Sequence, residues 1–362
     1  MPEYAYNPEF EKDEEIDRGD IFPKGSAPAM VSVSSDKTMR VWDLKSGVCK
    51  RVLVGHEKSI QSVSVDWDDK KKLMALTASA DHTLMKWDTK RAVWLGSFEG
   101  HKGPVSSMKV NWNNRRVLTS SYDKTIKLWD IDEATCMQTL RGHEGPACCA
   151  DPDWSTGRVV SGEEDVDARL WDMETGKTVM MLQGHTGPVW TASINGESMR
   201  ALTGSGDRTL KMWDLRSGQC IKSMLRHTLP IGTLEVDWAT SRAMTGSSDR
   251  TIILWDLDVG DQVTKYDLHC GSVWSLSVDW IGHRMVSGAG PCDNGIRLWD
   301  FDGGEHGPYC EKLMEEHEGT VWGLSVDWAV CFWEPPPPSD DEEEVKPSLA
   351  DAVADAGLTG LA

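Results

Sequence analysis

Apolar and polar residues alternate with a period of two along most of the chain, in short runs separated by Gly, Asn, Asp and Ser. That alternation predicts strands rather than helices. The stretch from 187 to 225 shows the unit. GPVWTASI reads as a strand, NGES as a turn, MRALTGSG as a second strand, DR as a tight turn, TLKMWD as a third strand, and RSGQCIKSML as a turn running into a fourth. The dipeptide Trp-Asp recurs at 42, 87, 129, 171, 213, 255 and 299, at intervals of 45, 42, 42, 42, 42 and 44 residues. A histidine follows the Trp by 14 residues six times, and by 18 at His317, where FDGGEHGPYCEK carries four extra residues. Four short antiparallel strands cannot bury both faces alone. Stacked copies share a core, and a closed ring leaves no end face uncovered.

The two ends of the repeat region complement each other. AMVSVSSDKTMRVWDLKSGVCKRVLV reads as the second, third and fourth strands of a unit without its first, and HEGTVWGLSVDW as a first strand with nothing after it. Joined, they complete one unit. The pattern resembles the WD-repeat family of β-propellers over about residues 28–333. The expected fold is all-β: a seven-bladed β-propeller of four-stranded antiparallel blades, one of them composite. Outside it, residues 1–27 form an acidic N-terminal tail and residues 334–362 a Pro-rich, acidic C-terminal tail, both expected to be disordered.

The resemblance also implies a hydrogen-bonded tetrad of His, Ser or Thr, Asp and Trp in every blade. Buried imidazole, carboxylate and indole each need a partner, and one chain of bonds serves all three. The sets are His56–Thr77–Asp81–Trp87, His101–Thr119–Asp123–Trp129, His143–Ser161–Asp165–Trp171, His185–Thr203–Asp207–Trp213, His227–Thr245–Asp249–Trp255 and His269–Ser287–Asp293–Trp299. The composite blade supplies His317 from one end and Ser32, Asp36 and Trp42 from the other. VSGAGPCDNG inserts two residues before Asp293, so its set departs from the common spacing. Ser, His and Asp also make nucleophilic triads. Seven repeats of the set, each tied to a core Trp, and no nucleophile elbow point instead to structure. His82, His283 and His306 form no ligand cluster, and neither metal nor cofactor is expected.

Composition narrows the picture. There are 18 Trp against 5 Tyr and 5 Phe, which the repeat explains. The net charge is −20; the two tails carry −5 and −7, which leaves −8 for the ring. Nucleic acid and membrane surfaces are therefore disfavoured partners. Nine cysteines without a C-x-x-C pair suggest neither a disulfide framework nor a zinc site, and fit the cytoplasm or nucleus. MPEYAYNPEFEKDEEID fits neither a secretory signal nor a transit peptide. Cys49, Cys136 and Cys220, seven after the Trp of Trp-Asp, read as small core residues.

Function is expected where the units differ. A second tryptophan series, Trp67, Trp112, Trp154, Trp238, Trp280 and Trp328, lies eleven after the His and reads as a turn device, with Arg116, Arg158, Arg242 and Arg284 placed to stack on it. Five after the His, where the innermost strand begins, the residues are Gln61, Ser106, Cys148, Trp190, Gly232, Trp274 and Trp322. In WD-repeat relatives this region contacts partners, so Trp190, Trp274 and Trp322 read as an exposed aromatic arc on the upper face. Tyr122, Glu164, Gln61 and Lys102 join the candidate surface. The expected function is a non-catalytic scaffold binding one or more proteins or peptides, within a multiprotein complex and with a monomeric ring. The alternative is a substrate receptor of a cullin-RING ubiquitin ligase: Trp213, Asp214 and Arg216, in WDLR, resemble that family's docking motif. An enzyme would need unpaired acids or histidines lining the channel, and the repeat-by-repeat reading leaves none.

Overall fold

In the computed structural model each alternating run is a strand, and the strands fall into seven four-stranded antiparallel sheets among the described residues. These residues are 29–68, 73–267, 269–302 and 309–328; both tails and the expected ring limits at 28 and 329–333 lie outside them. Blade 1 joins Ala29–Ser34, Thr38–Asp43 and Val48–Val54 to Val321–Val326, which pairs antiparallel with Ala29–Ser34 and takes the inner place. Blade 5 shows the uninterrupted order from inside outwards: Val189–Asn195, Arg200–Ser205, Thr209–Asp214, Gln219–Leu225. The other inner strands are Ile60–Val65, Val105–Asn111, Ala147–Asp153, Ile231–Asp237 and Val273–Asp279, in blades 2, 3, 4, 6 and 7.

Position within the blade sets the residue types. The second strand is covered on both faces by neighbouring blades, so runs such as AMVSVS and MALTAS are buried throughout and rich in small side chains. The outer strand alternates, as in VCKRVLV. Cys49, Cys136 and Cys220 lie on these outer strands; Cys136 and Cys220 are exposed rather than core as the sequence suggested, and Cys49 is half-buried against one apolar cluster. Strand period alone does not distinguish the outer strand from the inner ones.

The core is a ring of seven apolar clusters, one at each blade-to-blade contact. Each contains the indole of one Trp-Asp pair. Trp213, for example, packs with Val160, Leu170 and Leu182 of the preceding blade. Burying one such indole removes on the order of 200 Å² from water, about 5 kcal/mol. The cluster that closes the ring joins Val286, Ile296 and Leu298 of blade 7 to Met30, Trp42 and Val321 of blade 1. The glycine before the repeat histidine answers to these indoles. At Gly100 and Gly142, with φ of 145° and 148°, a Cβ would sit 3.3 Å from the ring of Trp129 or Trp171.

Candidate functional site

The histidine sites lie at the upper rim, where the inner strands begin and the tight turns between second and third strands sit. In blade 5 Trp213 Nε1 donates to Thr203 Oγ1 at 2.7 Å, and Thr203 Oγ1 lies 2.7 Å from His185 Nε2. His185 Nδ1 lies 2.8 Å from Asp207 Oδ2. Satisfying all four groups requires the hydroxyl to donate to Nε2 and Nδ1–H to donate to the carboxylate. Asp207 also accepts from the N–H of Thr186 and from both donors of Thr209. Burial pushes its pKa up, but these donors and His185 outweigh that and hold it at about 2. Burial pulls His185 below its ordinary pKa.

The same chain of bonds links His56–Thr77–Asp81–Trp87, His101–Thr119–Asp123–Trp129 and His227–Thr245–Asp249–Trp255. It crosses the ring closure as His317–Ser32–Asp36–Trp42. His269, Ser287, Asp293 and Trp299 connect likewise despite the insertion, and Arg297 Nη1 adds a bond to Asp293 at 2.6 Å. All seven tetrad hydroxyl residues, from Ser32 to Ser287, are completely buried, so no substrate reaches them for nucleophilic attack.

Blade 4 corrects the sequence reading. The acid on His143 is Glu163, at 2.8 Å, and Asp165 is exposed. Glu163 occupies the strand position held in five other blades by Ser34, Ser79, Ser121, Ser205 or Ser247, whose hydroxyls accept the turn aspartate's N–H. Its longer side chain reaches the imidazole directly, and Arg169 Nη2 lies 3.3 Å away on its other oxygen. Burial raises Glu163, but His143, Arg169 and the Gly145 N–H hold it at about 2. Arg169 and Arg297 occur in the two blades that lack a hydroxyl two residues after the turn acid, having Asp167 and Gly295 there. The guanidinium supplies the missing donor.

The variable position is built by a β-bulge. In every blade the pairing of inner and second strands slips at one residue, and the residues skipped are Gln61, Ser106, Cys148, Trp190, Gly232, Trp274 and Trp322. A bulge releases its residue from the ladder and re-aims its side chain. All seven line one central cavity of about 630 Å³ together with Tyr122 and Glu164. Tyr122 is half-exposed and Glu164 exposed. Lys102 is exposed but does not line the cavity; its N–H bonds Asp123. The tryptophans differ from the open arc expected. They are half-buried against one another, with ring centroids 5.8 Å apart for Trp190–Trp274 and 5.1 Å for Trp274–Trp322. Gly232, between them, makes room: a Cβ there would lie 2.6 Å from the Trp274 ring. The facing wall is polar, with Gln61 bonded to Ser59 and Ser106 to the carbonyl of Ala147. Burial, then Glu164 and Glu163, push the Cys148 thiol up to about 12, so it stays protonated and unreactive.

A second level lies three residues deeper, and the sequence reading missed it. Ser64, Ser193, Ser277 and Ser325 each accept the indole N–H of the next blade's lower tryptophan, from Trp112, Trp238, Trp328 and Trp67, at 3.0–3.2 Å. The equivalent residues of the remaining blades are Lys109, Asp151 and Glu235. Lys109 Nζ is 3.5 Å from Asp151 Oδ1, and Ile194 N–H donates to Asp151. The charge of Asp151 raises Lys109; burial raises both Asp151 and Glu235. The channel therefore does hold acids, contrary to the repeat-by-repeat reading. Position eight after the His was the signal: serine in four units, charged in three.

At the lower rim the guanidinium over Trp112 belongs to Arg115, 5.7 Å from the ring, rather than to Arg116. Trp213 is fully buried in its tetrad, Asp214 accepts the N–H of Arg216, and only Arg216 of that trio is exposed.

Seven radial sheets pinned by histidine–hydroxyl–indole bonds define a repeat propeller. The residues matching the family model described as WD domain, G-beta repeat, are 47–88, 93–130, 176–214, 218–256 and 260–300, more than half of the sequence, and the chain belongs to that WD40 family. The gap from 131 to 175 contains the three inner strands of the blade whose acid has moved to Glu163. No curated protein matches the chain. Propellers of this family typically serve as protein-interaction scaffolds and are generally non-catalytic.

Proposed function

We propose that this protein is a non-catalytic scaffold that docks a peptide segment or protein domain at the upper mouth of its channel, on Trp190, Trp274 and Trp322, with Tyr122, Glu164 and Gln61 on the facing side. One observation carries the reading. These three tryptophans belong to neither repeated series, yet all stand at bulge positions and meet at one end of a single cavity. Half-buried aromatic clusters on a rigid frame supply large contact area at small entropy cost. The compartment this reading assumes is the cytoplasm or nucleus.

The test is affinity purification of the full chain against the variant Trp190→Ala, Trp274→Ala, Trp322→Ala, with thermal melting as a control. The expected result is loss of most co-purifying proteins while cooperative melting survives. An unchanged set of partners from the folded variant overturns the reading. Ligase docking rests on Arg216 alone, since Trp213 and Asp214 are engaged within the blade. A cullin adaptor in the purification that is lost on Arg216→Ala would instead favour that role.

A further inference from the structure

We propose that the channel takes a cationic side chain, arginine or lysine, offered by the protein or peptide docked at the mouth, with Glu235 as its counter-charge. This rests on the docking reading above. Four blades place serine at the deeper level and use it to hold a neighbouring indole. Three place ionisable groups there instead, and these do not balance: two carboxylates face one ammonium. Asp151 is served by Lys109 and by the Ile194 N–H. Glu235 accepts no hydrogen bond from the described residues. Glu235 is half-exposed on the channel wall and open to a guest, and a cationic guest that donates to it makes a charge-assisted hydrogen bond, stronger than a neutral one.

The chemistry of the guest follows from the walls. An anion would meet two carboxylates. Among the described residues no group of three metal-ligating side chains is present, so a bare divalent ion finds no cage. A cation on a long stem passes first beside the packed cluster of Trp190, Trp274 and Trp322, whose aromatic rings attract it. It then reaches a level about 10 Å further along the strands, at the usual rise per residue. Glu164, at the mouth and lining the same cavity, adds charge of the same sign.

Short peptide pools, random except for a central residue fixed as Arg, Lys, citrulline, Glu or Leu, are immobilised and probed with the full-length chain. The Arg and Lys pools should capture about ten-fold more protein than the others. Glu235→Gln, which keeps the shape, should erase most of that preference. Lys109→Gln should strengthen it two- to three-fold or so, because the negative excess grows. Melting curves establish that each variant is folded, and Glu235→Gln alone decides if Lys109→Gln is not. Equal capture by the Leu and Arg pools, or a preference indifferent to folded Glu235→Gln, overturns the proposal. If the triple tryptophan variant still loses its co-purifying proteins, the docking reading stands without it; if that variant keeps them, docking itself fails.

Discussion

In each blade the tetrad histidine just before the inner strand and the mouth residue within that strand stand five residues apart, yet they follow opposite rules. The tetrads keep one chemistry in all seven blades. Where blade 4 loses the turn aspartate as partner, Glu163 and Arg169 restore the same bonds from other positions. The mouth keeps only a backbone device, the bulge, and varies what it presents from Gly232 to Trp274. Compensated change marks a place that must be satisfied internally. Variation that restores no common bond is what the docking of an outside partner, as proposed above, would leave at the mouth.

The harshest way to break this comparison is to open the ring. Truncation after residue 316 removes Val321–Val326 and His317, uncovering the fully buried strand Ala29–Ser34 and leaving Ser32 and Asp36 without their imidazole. We expect its cooperative melting transition to disappear, whereas truncation after 333 should stay within about 3 °C of the full chain. Equal melting of the two would contradict the composite blade.

Acid should come next. The tetrad acids are depressed from ordinary values near 4, to about 2 for Asp207 and Glu163 and lower for Asp36, Asp81, Asp123, Asp249 and Asp293. A carboxylate depressed on folding stabilises the fold above its unfolded pKa, and that contribution disappears as pH falls through the folded value. His185 and His269, pulled down chiefly by burial, begin the loss earlier, because below about 6.5 the unfolded chain takes up protons that the fold refuses. Denaturant titrations should show a shallow decline below about pH 6.5 that steepens below about pH 4. A flat profile over that range would mean the tetrads contribute little.

The smallest effect sharpens the contrast site by site. Thr203→Val leaves the Trp213 N–H and the His185 Nε2 without partners and should cost about 1–3 kcal/mol. Gln61→Ala, at the half-buried mouth, should change stability by less than about 0.5 kcal/mol. Comparable losses at both positions would erase the distinction between pinned site and free surface.

Much of this was legible before any coordinates. Period-two alternation and the spacing of Trp-Asp and His gave strand order, blade number and the pairing of the two ends, because each depends on local pattern or on a constant repeat. The acid of blade 4 was not legible, since an aspartate stood at the expected place in the turn. Only side-chain reach showed that a glutamate two residues earlier arrives first. The sequence marked Trp190, Trp274 and Trp322 as unusual, but whether they splay or pack depended on Gly232, whose missing Cβ matters only once Trp274 lies over it.

The chain's own pattern thus determined a ring of seven sheets and most of the groups that pin it, for strand pairing and burial act over a few residues and repeat every forty or so. Tertiary structure alone decided what faces the axis. Lys109, Asp151 and Glu235 stand 42 residues apart in sequence, then 84, and share one channel only because closure turns equivalent positions of separate blades towards a common centre. The separations are one and two repeat lengths, but strand alternation alone does not say that these positions meet across the axis.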